Sequence, residues 1–197
     1  MRPNSMFFQS VALSMALANG ALADGTELYP DAPPPDASFI RFFGVTEGMV
    51  SYAGKTFAIS SASLGKYIPV SAAQLTGIEP GVYITVIKAA DGTLQTIAEG
   101  ARDTRLKVHL ILVNGSQETL DLRVVEGDVP VLSAVAPMAA SQRAVNPVNV
   151  ELGVFANGAD TPVETFELAL QRGQNLSFVA TADGVRLVPN SFALVQE

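Results

Sequence analysis

The sequence contains no cysteine and no tryptophan, and its single histidine is His109. Without cysteine, the chain cannot form a disulfide, a thiolate nucleophile or a cysteine-ligated metal site. A serine nucleophile needs a base beside it. We predict that His109 lies on the solvated face of a strand from Arg105 to Val113. No Gly-x-Ser-x-Gly elbow or phosphate-binding glycine pattern occurs. The sequence therefore predicts no catalytic residue, no metal ligand and no cofactor, and it favours a protein that is not an enzyme.

Basic residues are also few, since 12 lysines and arginines stand against 19 aspartates and glutamates, giving a formal net charge of −7. An acidic chain of this kind lacks the basic surface of a nucleic-acid-binding protein. The apolar stretch from Met6 to Ala18 is shorter than the about 20 residues that span a bilayer, and no later segment is apolar enough. Arg2 before this stretch and Ala21-Leu22-Ala23 after it predict a secretory signal peptide over residues 1–23. We therefore expect an exported, periplasmic protein that does not span the membrane.

Turn dipeptides divide the rest of the chain into short segments in which apolar residues alternate with polar ones. Asp91-Gly92, Asn114-Gly115, Asn157-Gly158 and Asp183-Gly184 are typical of tight turns that join neighbouring antiparallel strands. No long segment has the helical period. Because each sheet must bury one apolar face, this pattern predicts an all-β protein built from two small antiparallel β-sandwich domains in tandem.

The composition along the chain suggests how these domains are arranged. Prolines are dense over 24–36, which predicts a stiff, extended linker after the signal peptide. The two sandwiches are predicted over 37–101 and 102–197, with the boundary at a polar, turn-like stretch. The alanine-rich segment 134–144 has no clear assignment.

A charged residue interrupts the aromatic strand from Ser38 to Phe43. Alternation places Arg41 on the same face of this strand as Phe39 and Phe43. An arginine that shares a face with two aromatic rings is either capped by an acid within the framework or exposed at an interface. Arg41 is therefore a candidate for partner binding.

Several segments, in order along the chain, carry a family resemblance. They are Leu28-Tyr29-Pro30 with Ala32-Pro33 and the strand Ser38 to Phe43, then Pro80-Gly81-Val82-Tyr83, then Val145 to Leu152, then Leu170 to Gln174. Together they resemble the AlgF family, which are periplasmic proteins of alginate O-acetylation. Two positions depart from the family pattern, because Gly44 replaces an expected Asn and Gln174 replaces an acid.

The resemblance implies two β-sandwich domains and a non-catalytic adaptor. Such an adaptor links a membrane-bound O-acetyltransferase of the AlgI kind to periplasmic SGNH-type acetyltransferases of the AlgJ and AlgX kind, or relays acetyl groups between them. The polysaccharide is a further possible partner. The expected partner-binding residues are Tyr29, Pro33, Arg41, Tyr83, Asn146, Pro147 and Arg172.

Two alternative functions remain open at this stage. A carbohydrate-binding module recognising a uronate polysaccharide would use exposed tyrosines as stacking platforms. A covalent acetyl carrier would need a hydroxyl close to a base, and no serine or threonine in the sequence stands near one.

Overall fold

The structure is a computed structural model that describes residues 32–102 and 106–196. The predicted signal peptide, the first part of the predicted linker and Tyr29 lie outside the described residues. The regular secondary structure of the described residues is β-strand, apart from one short 3-10 helix at Ala72–Gln74. The strands are β1 (Ala37–Phe43), β2 (Gly48–Tyr52), β3 (Lys55–Ile59), β4 (Ile68–Ser71), β5 (Tyr83–Lys88), β6 (Leu94–Glu99), β7 (Val108–Asn114), β8 (Leu120–Val124), β9 (Val129–Val135), β10 (Ala139–Val145), β11 (Asn149–Ala156), β12 (Pro162–Ala169), β13 (Asn175–Thr181) and β14 (Gly184–Pro189).

These strands form three four-stranded sheets and one hairpin. In the N-terminal sandwich, a sheet of order β4-β1-β5-β6 is covered on one face by the β2–β3 hairpin. In the C-terminal sandwich, a sheet of order β10-β7-β13-β14 packs on a sheet of order β12-β11-β8-β9. The prediction of an all-β protein with sandwich domains is confirmed. The division into domains at residues 101 and 102 falls in the segment between β6 and β7 and remains a prediction.

The central strand pair of each sandwich is parallel, which the sequence did not indicate. β1 pairs with β5 in parallel, with Ile40 opposite Ile84, and β7 pairs with β13 in parallel, with Leu110 opposite Leu176. The remaining strand pairs are antiparallel. Strand alternation reports which face is apolar but not which strand is the neighbour, so it cannot reveal a parallel pair closed by a long connection.

The sandwiches share a third core, which lies between them. Ile87 and Ile97 of the N-terminal sheet pack there with Ile111, Val113 and Val179 of the C-terminal sheet. We call this contact the sandwich junction. The sheets β4-β1-β5-β6 and β10-β7-β13-β14 are therefore buried on both faces, one face inside each sandwich and the other at the junction.

Burial on both faces corrects the prediction for His109. The imidazole lies in β7, whose seven residues are all buried, and only 2% of His109 is exposed. The prediction of a solvated face was wrong because His109 shares its face of β7 with Ile111 and Val113, which is buried at the sandwich junction.

Asn114-Gly115 is also not a hairpin turn. It leads from β7 in one sheet to β8 in the other, so the two strands do not pair. The Gly115 N–H donates to Ala180 O at 2.9 Å, and a Cβ on Gly115 would lie 2.2 Å from Ile87 Cδ1. Glycine is needed here because the backbone passes close to the sandwich junction.

The alanine-rich segment that had no assignment contains β10, an edge strand paired with β7. Gln142 of β10 donates to Ala101 O, so this strand also touches the connection between the sandwiches. Within the described ranges, no helix has the length and apolarity needed to cross a bilayer.

Candidate functional site at the sandwich junction

Arg41 lies at the sandwich junction, where its guanidinium bonds residues of both sandwiches. β1 turns Ile40 and Phe42 into the N-terminal core, and the same alternation directs Arg41 toward the C-terminal sandwich. Its side chain is 0% exposed. A buried guanidinium is stable only where its donors and its charge are matched, so the surrounding residues define the site.

Glu99, at the end of β6, provides the opposing charge. Arg41 Nη2 donates to Glu99 Oε1 at 3.0 Å, and Arg102 Nη2 donates to Glu99 Oε2 at 2.9 Å. The Thr85 hydroxyl donates to Oε1 at 2.6 Å and accepts from Arg41 Nε at 2.7 Å. The carboxylate is 0% exposed, and its two oxygens accept bonds from two strands (β1 and β5), from Tyr67 just before β4, and from the segment that connects the sandwiches.

The C-terminal sandwich completes the site. Arg41 Nη2 donates to Ser177 Oγ at 3.0 Å, and Arg41 Nη1 donates to Asn190 Oδ1 at 3.1 Å. Ser177 Oγ in turn donates to the same Asn190 oxygen at 2.9 Å. One guanidinium therefore bonds residues of both sandwiches, which ties their relative position to its hydrogen bonds.

Aromatic rings enclose these charges. The Arg41 guanidinium carbon lies 4.4 Å from the centre of the Tyr67 ring, and that of Arg102 lies 3.8 Å from the centre of the Tyr83 ring. The Tyr67 hydroxyl donates to Glu99 and accepts from Arg102 Nη2 at 2.6 Å. Burial raises the pKa of Tyr67 well above its usual range, with the charge of Glu99 acting in the same direction and the two arginines against it.

This arrangement is suited to holding surfaces together rather than to transferring groups. Two guanidiniums and one carboxylate leave one net positive charge in the cluster. The Ser177 and Thr85 hydroxyls are 0% exposed and already bonded, so neither can reach an acyl donor in solution. No group of three potential metal ligands occurs within residues 32–102 and 106–196.

The sequence-predicted residues fall into separate places. The sandwich junction contains Arg41 and Tyr83, so the structure brings these two together. Pro33 lies on the N-terminal sandwich, where it lines a groove beside β3. Tyr29 is outside the described residues.

The other three predicted residues lie in loops of the C-terminal sandwich. The Lys107 ammonium donates to Asn146 Oδ1, and the Lys107 carbonyl accepts from the Gly173 N–H at 3.1 Å. The loop that carries Asn146 and Pro147 and the turn that carries Arg172 therefore meet at Lys107. Contact between any of these residues and a partner remains a prediction.

Sequence reasoning missed Glu99, Arg102 and Ser177. A signal for Glu99 existed, because it follows Ile97 on the same buried face of β6, as Arg41 accompanies Phe43 on β1. Opposite charges on the apolar faces of two strands can indicate a buried ion pair. Arg102 lies in a connection, and Ser177 lies in an apolar strand, where nothing in the sequence marks either residue.

The fold and the junction define an all-β protein in which two sandwiches are joined by a buried charge cluster. The family model described as "Alginate O-acetyl transferase AlgF" matches residues 10–177 of this chain. The chain therefore belongs to the AlgF family, and the resemblance found in the sequence is confirmed.

Two relatives support this assignment. The alginate biosynthesis protein AlgF of Pseudomonas aeruginosa is 27% identical over 192 residues, covering 90% of this chain and 88% of that protein. Its namesake from Pseudomonas syringae pv. tomato is 25% identical over 199 residues, covering 92% and 89%. The solved C-terminal domain of AlgF from P. aeruginosa is 29% identical and covers 43% of this chain and 93% of that chain. Its TM-score of 0.36 is too low to equate the two folds.

Proposed function

We propose that this chain is a non-catalytic periplasmic adaptor of the machinery that O-acetylates alginate or a related exopolysaccharide. It links a membrane-bound O-acetyltransferase of the AlgI kind to periplasmic SGNH-type acetyltransferases of the AlgJ and AlgX kind. Through this link, acetyl groups pass from the membrane enzyme to the enzymes that modify the polymer. The family name supports the pathway, and the architecture supports the adaptor role within it.

The observation that carries the proposal is the buried Arg41 guanidinium, which pairs with Glu99 of its own sandwich and donates to Ser177 and Asn190 of the other. Sandwiches joined by a flexible linker alone would move independently, because contacts between domains of one chain are usually small and polar. Here a buried charge cluster and an apolar core fix one sandwich against the other. A rigid body with two sandwiches can hold two enzymes at a set distance and orientation.

The position of His109 favours a non-catalytic role. It is the one imidazole of the chain and lies buried in a central strand, where it cannot activate a hydroxyl at the surface. Arg41, also predicted to bind a partner, is 0% exposed and acts on partners only through the arrangement of the sandwiches.

The experiment is reconstitution from purified components. The protein is mixed with the soluble domains of the AlgJ-like and AlgX-like acetyltransferases from the same organism, and complexes are separated by size-exclusion chromatography with light scattering. We expect one complex that contains this protein and at least one acetyltransferase. Failure of both enzymes to bind would refute the adaptor role.

A second assay tests the alternatives on the same sample. Intact-mass measurement of the native protein reports an acetyl adduct on one serine or threonine if the chain is a carrier. Titration with uronate oligosaccharides reports saturable binding if it is a carbohydrate-binding module. Turnover of an acetyl ester that disappears when one side chain is replaced would show an enzyme and would also refute the proposal.

A further inference from the structure

An apolar groove lies on the N-terminal sandwich, away from the sandwich junction. One wall is the outer edge of β3 and the other is the segment 192–196 that follows the last strand. Its volume is about 930 Å³. The groove is lined by Pro33, Met49, Thr56, Ala58, Ser60, Ala62, Ser63, Lys66, Pro69, Phe192, Ala193, Leu194, Val195 and Gln196.

Large apolar side chains are unusually exposed around this groove. Met49 is 71% exposed, Phe192 is 52% exposed and Leu194 is 70% exposed. Exposed apolar residues scattered singly need no explanation, but three that line one groove indicate a binding surface. These side chains gain most if another molecule covers them.

The groove also presents unpaired backbone groups. β2 and β3 are joined by the two-residue turn Ala53-Gly54, so Tyr52 and Lys55 form the first hydrogen-bonded pair of the hairpin. Hydrogen-bonded and non-hydrogen-bonded pairs then alternate along the hairpin. Thr56 and Ala58 fall in non-hydrogen-bonded pairs, so their N–H and C=O groups point away from β2. Within the described ranges, β3 pairs with no other strand.

One of these two positions is already occupied in the way a strand would occupy it. The Ala58 N–H donates to Gln196 Oε1 at 3.0 Å, and Gln196 Nε2 donates to Ala58 O at 2.7 Å. A side-chain amide carries the same donor and acceptor as a peptide group. Gln196 therefore satisfies Ala58 as a neighbouring strand would, whereas no described residue bonds the backbone of Thr56.

The groove carries one charged side chain. Among the lining residues, Lys66 alone is ionised, and within the described ranges it forms no ion pair and its ammonium no hydrogen bond. In a chain with a net charge of −7, a positive charge beside an apolar surface selects for a carboxylate on the ligand.

We propose that the groove binds an extended segment of a partner protein, which adds to the edge of β3 as a further strand. The segment bonds the backbone of Thr56, places apolar side chains against Met49, Phe192 and Leu194, and carries a carboxylate that reaches Lys66. Strand addition gives affinity through main-chain hydrogen bonds and selectivity through alternate side chains. This inference rests on the proposed adaptor function only for the nature of the partner, an acetyltransferase of the same machinery.

The first test uses a defined probe rather than the partner. The probe is a fluorescent, blocked hexapeptide of alternating valine and glutamate, and its binding to the purified protein is followed by anisotropy. We expect saturable binding that weakens about tenfold or more when alternate amides of the peptide are N-methylated, because the backbone bonds are lost. A valine and lysine peptide should bind more weakly, although the protein as a whole attracts it. Equal binding of the N-methylated peptide, or no binding of either acidic peptide, would overturn strand addition.

The second test changes the protein. Thr56→Pro removes the outward backbone N–H without removing a bond to β2. Thr56→Val keeps that N–H and has a side chain of similar size. We expect Thr56→Pro to weaken peptide binding about tenfold relative to Thr56→Val. Leu194→Asp should weaken it as well, whereas Val163→Asp, at a valine on β12 that is 52% exposed, should not. Equal binding by the two Thr56 variants, with unchanged circular dichroism, would contradict the proposal.

The same variants separate this inference from the adaptor function. If an acetyltransferase binds all of them alike, the adaptor role stands and the groove is not its docking site. If the peptide binds only after residues 24–31 are deleted, the groove holds a segment of its own chain and the partner assignment is wrong. Loss of acetyltransferase binding in Thr56→Pro and Leu194→Asp, but not in Thr56→Val and Val163→Asp, is the expected result.

Discussion

Replacing Glu99 with glutamine should lower the unfolding free energy and let the two sandwiches unfold in separate transitions. Glu99 accepts bonds from Arg41, Arg102, Tyr67 and Thr85 through two oxygens that are both fully used. Glutamine keeps the shape but turns one of these oxygens into an NH₂ group. In either orientation that group faces donors, so two or more bonds are lost.

The size of the effect follows from the burial of the cluster. Removing one partner of a buried ion pair costs about 3–5 kcal/mol, because the other charge stays in a low dielectric. Here two guanidiniums lose the carboxylate that they share, which favours the upper part of this range. Arg102 works against this, since 6% of its side chain is exposed and it can turn toward water. We therefore expect Glu99→Gln to cost about 3–4 kcal/mol of unfolding free energy.

The assay is equilibrium unfolding in urea followed by far-ultraviolet circular dichroism, since the chain has no tryptophan. The parent protein should unfold in one transition because the sandwiches share a core, and Glu99→Gln should unfold earlier and in two. Glu164→Gln, on the exposed face of β12, is the matched control and should change little. A loss below about 1 kcal/mol with a single transition would refute the idea that Glu99 holds Arg41 in the position from which it bonds the C-terminal sandwich.

Three further predictions concern single sites. Gly115→Ala should cost about 1–3 kcal/mol in urea unfolding, because the added methyl group would lie 2.2 Å from Ile87 Cδ1; an unchanged midpoint would show that the junction adapts freely. Burial raises the pKa of Tyr67, so its stabilisation is complete below the ordinary value of about 10 and is lost as pH rises above it. The free energy of unfolding of Tyr67→Phe should therefore fall less steeply with pH above about pH 10 than that of the parent protein. An unchanged pH dependence would contradict this. Glu151→Lys should add about 0.5 kcal/mol at low salt, because Glu151 lies directly opposite Glu167, and the gain should shrink as salt is added.

Local features of the fold were predictable because they depend on a few neighbouring residues. Gly92, Gly158 and Gly184 all have positive φ, as expected of the turns assigned to them. Gly44 also has a positive φ of 69°, a conformation that asparagine tolerates better than most residues other than glycine. A Cβ at this position would lie only 2.8 Å from Lys88 O, so this chain needs glycine here although asparagine tolerates the same φ.

Features that depend on distant neighbours were not predictable. The strand that contains His109 alternates as a half-exposed strand would, and only packing against the N-terminal sandwich makes its polar face buried. Asn114-Gly115 was predicted to be a hairpin turn for the same reason, because the sequence does not show that β7 and β8 lie in different sheets. Arg41 shows the limit most clearly, since the sequence indicated either an acidic cap or an interface. The structure combines the two, because Glu99 caps the arginine at an interface within the chain.

The sandwich junction and the apolar groove are joined by one short segment. Asn190 accepts from Arg41 at the junction, and the next residue accepts from the Tyr67 N–H at 2.9 Å through its carbonyl. Phe192 then stands beside Tyr67, with ring centres 6.1 Å apart, and forms part of the groove wall. The rest of the segment is held by the N-terminal sandwich, because the Ala193 N–H donates to Tyr67 O at 2.8 Å and the Gln196 amide bonds Ala58 of β3. The charge cluster therefore positions the start of this groove wall, and the N-terminal sandwich positions the remainder.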